Sequence, residues 1–288
     1  MYERLKEARK AVNEGWPGGQ VQYGMGYPVG VKFCGEDGQG WFVQDGITVQ
    51  ARHPRNAKGF LRFQWNPARF TKDAFSALSN TIDQHILPGW LASVRKEGAV
   101  TRIDTTTDIL GLPLDDIMVH VDKKQSFAIF SGPGGRTETM YFGKGSSNQV
   151  QFYDRTVKKI AEGKGVNPIA KGKHWVRIEV RNKPGKSGTF PVADLPSLGN
   201  PFGPIRIYNP NWDHPDLQHP MFRLFASAWQ VRGRKRAVEL AGTEGKHLRA
   251  LTEQCQAKWW NADAKWKYWL QALEKAGLLA NGGTNGPQ

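Results

Sequence analysis

Alternation of apolar and polar residues with period two constrains the fold of this chain more than any other feature of its sequence. In the segment 175–182 (WVRIEVRN) the second, fourth and sixth residues are Val or Ile, and charged residues stand between them. The segments 100–108 (VTRIDTTTD) and 149–155 (QVQFYDR) alternate in a similar way. Residues two apart lie on one face of a strand, so each segment predicts a β-strand with an apolar and a polar face.

Other segments predict helices, a further strand and hairpins. The segment 71–87 has apolar residues at helical spacing and begins with Thr71, a residue type that caps helices. Residues 2–14 and 221–279 also predict helices, and 60–65 (FLRFQW) predicts a strand. Turn residues predict one hairpin at Asp45-Gly46 within 41–52 and another around Gly132-Pro133-Gly134-Gly135 within 127–142. The predicted fold class is α+β, with an antiparallel β-sheet core, flanking helices and a helical C-terminal region.

Basic residues outnumber acidic ones by a wide margin. The chain has 40 Lys and Arg against 26 Asp and Glu, a formal net charge of +14. Nucleic acid is the expected partner, because basic side chains displace the counterions that condense on phosphates. The alternative is a basic protein without a polyanionic partner.

The cysteines and the hydrophobic runs indicate the compartment. Cys34 and Cys255 form neither a zinc-binding pattern nor a disulfide framework. No apolar run approaches the roughly 20 residues that are needed to cross a bilayer. We therefore expect a cytoplasmic protein with no membrane partner.

The polar faces of the predicted strands carry the residue types that phosphodiester cleavage requires. Period two groups Arg102, Asp104, Thr106 and Asp108 on one strand, Arg177, Glu179 and Arg181 on a second, and Gln149, Gln151, Tyr153 and Arg155 on a third. A tyrosine oxygen can attack phosphorus and hold a 5′-phosphate covalently. Asp and Glu supply the oxygen ligands that Mg²⁺ or Mn²⁺ prefers, and arginine matches the geometry of phosphate.

The same residues also have an ordinary structural interpretation. Tyr153 can be a half-buried strand tyrosine, Asp104 and Asp108 can be solvated, and Glu179 can belong to a ladder of cross-strand ion pairs. No His-hydrophobe-His motif occurs, so a metal site in this chain would consist of carboxylates. The pattern alone therefore indicates a basic α+β nucleic-acid-binding protein.

Five segments in the same order, covering residues 60–182, give a more specific indication. They are LRFQWNP (61–67), TRIDTTTD (101–108), TETMYFG (137–143), QFYDR (151–155) and HWVRIEV (174–180). Together they resemble the Rep_trans family of rolling-circle replication initiation proteins, which are DNA nickases of plasmids and phages. Gln64 stands where the family usually carries Glu, so the resemblance implies no metal role for this position.

The resemblance implies a role for each matching residue. Tyr153 would be the nucleophile, with Arg102 and Arg177 near the phosphate. Asp104 would bind the divalent metal, Mg²⁺ or Mn²⁺, and Glu179 would be a second ligand or a positioning base. Asp108 matches the second aspartate of the strand that carries Asp104 and is a third candidate metal ligand. The basic residues after the tyrosine would hold the DNA backbone; these are Lys158 and Lys159.

The resemblance also implies an activity and partners. The expected enzyme is a metal-dependent site-specific endonuclease that nicks one DNA strand at an origin through a 5′-phosphotyrosine intermediate and later rejoins strands. Its partners would be origin DNA with a single-stranded or cruciform nick site, a second copy in a homodimer, and a host helicase. Two alternatives stay open: a nickase or relaxase that mobilises or excises an integrative element, and a non-catalytic basic DNA-binding module.

The C-terminal region adds a second basic feature. The run RGRKR predicts a DNA contact through Arg232, Arg234, Lys235 and Arg236. Trp259, Trp260, Trp266, Tyr268 and Trp269 could stack on bases, but their spacing favours helix packing. The predicted organisation is an N-terminal helix and hairpin that form part of the core (1–59), a catalytic nicking core (60–182), a connection (183–220), a helical basic region (221–280) and a disordered tail (281–288).

Overall fold

The computed structural model describes residues 2–14, 19–21, 29–34, 46–51, 60–124, 126–143, 148–161, 173–184, 190–209 and 215–279. The chain divides into two compact units. Unit 1 contains Met1–Ala99, Pro191–Ser197 and Tyr268–Gln288, and unit 2 contains Val100–Phe190 and Leu198–Lys267. The division differs from the predicted boundaries, because residues 60–99 belong with the N-terminal segment. The predicted tail at 281–288 lies outside the described residues.

Unit 1 is a four-stranded antiparallel sheet with helices. Its elements are α1 (Tyr2–Asn13), β1 (Gly19–Val21), β2 (Val29–Phe33), β3 (Ile47–Ala51), β4 (Leu61–Gln64), α2 (Lys72–His85) and α3 (Trp90–Glu97), and the late helix α10 (Trp269–Lys275) also belongs to it. The strands follow one another in the order β1-β2-β3-β4. As predicted, Thr71 caps α2, where its hydroxyl accepts a hydrogen bond from the Ala74 amide at 3.2 Å.

The hairpin predicted at Asp45-Gly46 falls largely on residues that the structure does not describe, since Trp41 to Asp45 and Arg52 lie outside the described residues. Of the predicted segment, Ile47–Ala51 form β3. This strand pairs with β2 on one side, where Phe33 faces Ile47, and with β4 on the other.

Unit 2 is built on a five-stranded antiparallel sheet. Its strands are β6 (Ile103–Leu110), β7 (Met118–Val121), β8 (Phe127–Ser131), β9 (Thr137–Phe142), β10 (Asn148–Asp154), β11 (Trp175–Asn182) and β13 (Ile205–Tyr208), while the short β5 (Ala99–Val100) and β12 (Phe190–Pro191) pair with each other. The sheet has the order β6-β11-β10-β9-β8, and β13 pairs separately with β7. One face of the sheet is apolar, as the period-two pattern predicts, and it packs in a core that includes Val176, Ile178 and Phe152.

Helices complete unit 2, so the predicted α+β class with antiparallel sheets and C-terminal helices is confirmed. They are α4 (Arg155–Ala161), α5 (Pro215–Gln218), α6 (Pro220–Arg232), α7 (Arg234–Leu240), α8 (Gly245–Gln254) and α9 (Ala262–Trp266). The predicted connection 183–220 also contains β13, which places Ile205 and Ile207 in the core. In the part of the chain that the structure describes, no helix is long and apolar enough to span a membrane.

Candidate nucleic-acid interface and strand-scission site

The polar face of the five-stranded sheet arranges the predicted site residues in rows that run across the strands. The register of β6, β11 and β10 gives three rows, which are Asp108–Arg177–Tyr153, Thr106–Glu179–Gln151 and Asp104–Arg181–Gln149. Neighbours in a row are one strand spacing apart, about 4.8 Å. The structure therefore brings Tyr153 next to Arg177 and places Glu179 on the diagonal, one row away.

Arg177 is held by Asp108. Its Nε and Nη2 atoms donate hydrogen bonds of 2.7 and 2.9 Å to the two carboxylate oxygens of Asp108. These bonds raise the pKa of Arg177, and the charge of Arg177 acts on Tyr153, its neighbour in the row. A two-pronged Arg–carboxylate pair fixes the guanidinium plane. In this arrangement Asp108 positions Arg177, and its predicted role as a metal ligand remains a prediction.

Tyr153 is buried although it lies on the polar face of the sheet. Its exposed fraction is 3%, and the ammonium group of Lys158 on α4 lies 4.5 Å from its ring centroid. Burial raises the pKa of Tyr153, against the opposing effects of Arg155 and Arg177. The phenol is therefore neutral at neutral pH, and an attack on phosphorus requires removal of its proton.

Arg155 is a candidate site residue to which the sequence pattern assigned no role. It is 7% exposed, and among the described residues it forms no ion pair with a carboxylate and its Nε has no hydrogen-bond partner. Arg155 and Arg177 lie 5.8 and 5.7 Å from the ring of Trp175. A buried charge is normally paired, so a buried guanidinium without an acid indicates an anionic ligand. Two arginines at one indole ring, both acting on Tyr153, can hold a phosphate there.

Asp154 lies at the junction between β10 and α4, the helix that carries Lys158 and Lys159. Its carboxylate accepts hydrogen bonds from the amides of Thr156 and Val157 at 2.8 and 3.1 Å. These are the contacts of an N-cap, so Asp154 ends β10 and starts α4. Of the predicted backbone-binding residues on α4, Lys158 is exposed and Lys159 is half-buried.

The remaining acidic residues also face arginines. Arg181 lies 3.4 Å from Glu179 and 3.6 Å from Asp104. Arg102 donates to Asp104 through its Nε at 2.7 Å, and this interaction raises the pKa of Arg102. Of these ion pairs, Arg181–Asp104 joins two strands, whereas Glu179 pairs with Arg181 of its own strand.

Of the predicted metal ligands, Glu179 has the clearest connection to Tyr153. Among the described residues no group of three His, Cys, Asp or Glu side chains is placed to hold an ion. Asp104 and Tyr153 are two strands and four residues apart in register, roughly 16 Å between Cα atoms, whereas the charge of Glu179 acts on Tyr153 directly. Mg²⁺ commonly takes one or two carboxylates together with substrate phosphates and water, which Glu179 and a bound phosphodiester can supply.

Two arginines of the basic run at 232–236 form ion pairs with acidic residues of the protein. Gly233, with φ 78°, separates α6 from α7. Arg234 lies 3.5 Å from Glu253 and 5.9 Å from the ring of Trp229, and Arg236 lies 3.0 Å from Glu239. Arg232 and Lys235 are exposed and remain the best candidates for phosphate contacts.

Replacing Arg232 and Lys235 together with alanine is expected to weaken DNA binding uniformly across sequences. The slope of log affinity against log salt should become shallower by about 0.9 per lost duplex contact, because fewer counterions are released. Fluorescence anisotropy over a salt series measures this slope. Arg234→Ala is the comparison: it should lower the melting temperature, since it removes contacts to Glu253 and Trp229. An unchanged salt slope in the double variant would exclude both residues from the interface.

Three of the C-terminal tryptophans pack against the protein, but they do not share one helix as their spacing favoured, because Trp266 ends α9 and Trp269 begins α10. The indole Nε1 atoms of Trp260 and Trp269 donate to the carbonyls of Ile205 and Leu195 at 3.1 and 2.8 Å, and Trp266 contacts the ring of Phe202. Trp259 is 44% exposed and Tyr268 54% exposed. Base stacking is therefore not the role of the packed tryptophans.

Position 64 belongs to the other unit of the chain. Gln64 lies in unit 1 and accepts a hydrogen bond of 3.0 Å from Arg62. The residues discussed above for strand scission all belong to unit 2. Neither a family model nor a curated protein sequence matches the chain, so the resemblance to the Rep_trans family depends on the five segments themselves.

Proposed function

We propose that this protein is a rolling-circle replication initiator that nicks one strand of origin DNA and attaches itself to the 5′ end. One observation carries the proposal: Tyr153 lies beside Arg177 on the polar sheet face, with Arg155 and Glu179 also acting on its hydroxyl. A phenol among two arginines and an acid has the parts of a phosphoryl-transfer site. The net charge of +14 supports DNA as the substrate.

The reaction follows from these positions. The Tyr153 oxygen loses its proton to solvent and forms a bond to phosphorus while the bond from phosphorus to the 3′ oxygen breaks. The 3′ oxygen takes up a proton and leaves as a hydroxyl. Arg177 and Arg155 neutralise the charge that develops on the phosphoryl oxygens. Mg²⁺ or Mn²⁺ at Glu179 would add Lewis-acid stabilisation of that charge. The phosphotyrosine ester conserves the energy of the cleaved phosphodiester bond, so the reverse reaction can rejoin a strand.

Further elements of the proposal concern the biological setting. The nick supplies a free 3′ hydroxyl as a primer for plasmid or phage replication. A homodimer provides a second tyrosine for termination, and a host helicase opens the duplex. The same chemistry would serve a nickase that mobilises an integrative element, and replication assays on DNA that carries the neighbouring sequence distinguish the two settings.

Burial of Tyr153 favours one competing function, a DNA-binding module without catalysis. A nucleophile must reach phosphorus, whereas the phenol is 3% exposed. Incubation with labelled single-stranded oligonucleotides from the DNA that carries the gene, in Mg²⁺ or Mn²⁺, separates the functions. The proposed nickase forms a denaturation-resistant adduct with the 5′-phosphate of the downstream product strand. Retention of DNA without any adduct would establish the binding module.

Replacing Glu179 with glutamine is expected to reduce metal-dependent nicking by about 100-fold or more, the size of loss seen when one charge-stabilising group is removed from a site. The substitution keeps the shape of the side chain and removes its charge, so DNA binding should be maintained. Nicking rates across a Mn²⁺ titration, with anisotropy as the binding control, measure the effect. Wild-type rates at every metal concentration would show that Glu179 belongs only to the ion-pair ladder with Arg181.

A further inference from the structure

An aromatic pair at the free edge of the five-stranded sheet takes no part in the proposed phosphoryl transfer. Phe130 on β8 is 50% exposed. Its ring lies 5.6 Å from the ring of half-buried Tyr141 on β9, at an interplanar angle of 82°. β8 is the last strand in the sheet order, so the pair stands at the border of the polar face. An exposed ring of this size beside a second ring indicates a binding surface.

The strand register connects this pair with the candidate site. Tyr153 faces Thr139, and Thr139 faces Phe130, so Phe130 and Tyr153 belong to one row of the sheet. They are two strand spacings apart, about 10 Å. This span equals about three stacked nucleotides at roughly 3.4 Å each, and fewer nucleotides of an extended strand. A DNA backbone held at Tyr153 can therefore bring its own neighbouring bases to Phe130.

Tyr141 is held in place for such a contact. Its hydroxyl accepts a hydrogen bond of 3.1 Å from the Nε2 atom of Gln151 on the adjacent strand. The bond fixes the tilt of the ring next to Phe130. Aromatic rings beside a basic, phosphate-tracking surface are the usual way in which proteins bind unpaired bases without reading their sequence.

We propose that Phe130 and Tyr141 form a stacking platform for unpaired bases of a single DNA strand that crosses the polar face of the sheet. The inference rests on the proposed function for the position of the backbone, since it takes the phosphates to lie at Arg155 and Arg177. The platform would separate the bases that flank the nick from their pairing partners. It would select a single-stranded substrate, because its rings stack on unpaired bases.

Charge favours DNA as the occupant, because a chain with a net charge of +14 attracts a polyanion. The exposed Arg136 at the tip of the β8–β9 hairpin adds to this attraction. Pairing of β8 with another chain is the competing use of the edge, and it is one outcome of the experiment below.

The test compares two probes and five proteins in EDTA, so that no nicking occurs. The probes are fluorescein-labelled oligo(dT) and an oligomer of the same length that consists of abasic residues. Phe130→Ala should weaken oligo(dT) binding by about 5-fold to 100-fold, the loss per stacked base, and leave the abasic oligomer bound as in the wild type. Leu224→Ala is the matched control, because Leu224 is a 65% exposed apolar residue on α6; it should change neither affinity.

Tyr141→Phe keeps the ring and should retain most of the oligo(dT) affinity, whereas Tyr141→Ala should lose it. Four results would overturn the inference: unchanged oligo(dT) binding by Phe130→Ala, equal losses for both probes, a change of oligomeric state without a change in DNA affinity, or no binding of oligo(dT) by the wild type. The adduct assay separates this failure from failure of the nickase. If the stacking results hold and no adduct forms, the platform stands and the nickase activity is rejected. If an adduct forms and the stacking results fail, the nickase activity stands and the platform is rejected.

Discussion

Replacing Tyr153 with phenylalanine is expected to abolish the covalent protein–DNA adduct. The substitution removes the attacking oxygen and keeps the ring that lies under Lys158. Loss of the nucleophile in a comparable covalent mechanism lowers the rate by about a million-fold, which is below detection in a gel assay. Denaturing electrophoresis of the labelled oligonucleotide after incubation in Mn²⁺ measures the result.

Binding and stability provide the controls for this variant. Tyr153→Phe should bind single-stranded DNA with wild-type affinity, and its free energy of unfolding should fall by no more than about 1 kcal/mol, the contribution of one hydrogen bond. Tyr141→Phe is the matched substitution on the next strand, where Tyr141 faces Gln151, and it should still form the adduct. Adduct formation by Tyr153→Phe together with its loss in Tyr141→Phe would move the nucleophile to Tyr141.

Replacing Arg155 with methionine is expected to separate activity from stability. Nicking should fall by about 100-fold to 1000-fold, as when a donor to a developing oxyanion is removed. The melting temperature should stay the same or rise, because a buried guanidinium without an acid is replaced by an apolar chain of similar length. Initial rates of adduct formation and thermal unfolding of the same preparation measure the two effects.

Arg155→Lys refines the interpretation of this result. Lysine keeps the positive charge but lacks the planar guanidinium, so it should restore only part of the rate. A protein in which Arg155 only packs on Trp175 would behave in the opposite way. Its methionine variant would lose stability, and the folded fraction would nick at the wild-type rate.

Much of the sheet follows from sequence periodicity. β11 spans Trp175–Asn182, the predicted segment, because three β-branched residues alternate there with charged ones. The same rule places Tyr153, Glu179 and Arg177 on one face, and the register confirms their common face. Helix α2 follows from its apolar spacing and the Thr71 cap.

Other features depend on contacts that a single segment does not reveal. α4 begins at the residue after β10 without a Gly or Pro between them, so its only local signal is the Asp154 cap. Because α4 places Lys158 over the ring of Tyr153, the burial of this tyrosine could not be predicted without the helix. The burial of Arg155 has no signal in the sequence pattern either. Residue type also does not reveal which arginine a carboxylate faces, so the pairing of Asp104 with Arg181 and of Asp108 with Arg177 could not be predicted. β13 was missed because Pro and Gly dominate the residues around it, and its partner β7 is distant in sequence.

Mass-spectrometric mapping of the covalent adduct tests the central claim most directly. The protein is incubated with a 3′-labelled origin oligonucleotide in Mn²⁺, digested with protease and nuclease, and searched for a peptide that carries a nucleotide 5′-phosphate. A modified peptide with the phosphate ester on Tyr153 is the result that we predict. A nucleotide on Tyr141 or another residue, or full cleavage of the DNA with no modified peptide, would contradict it.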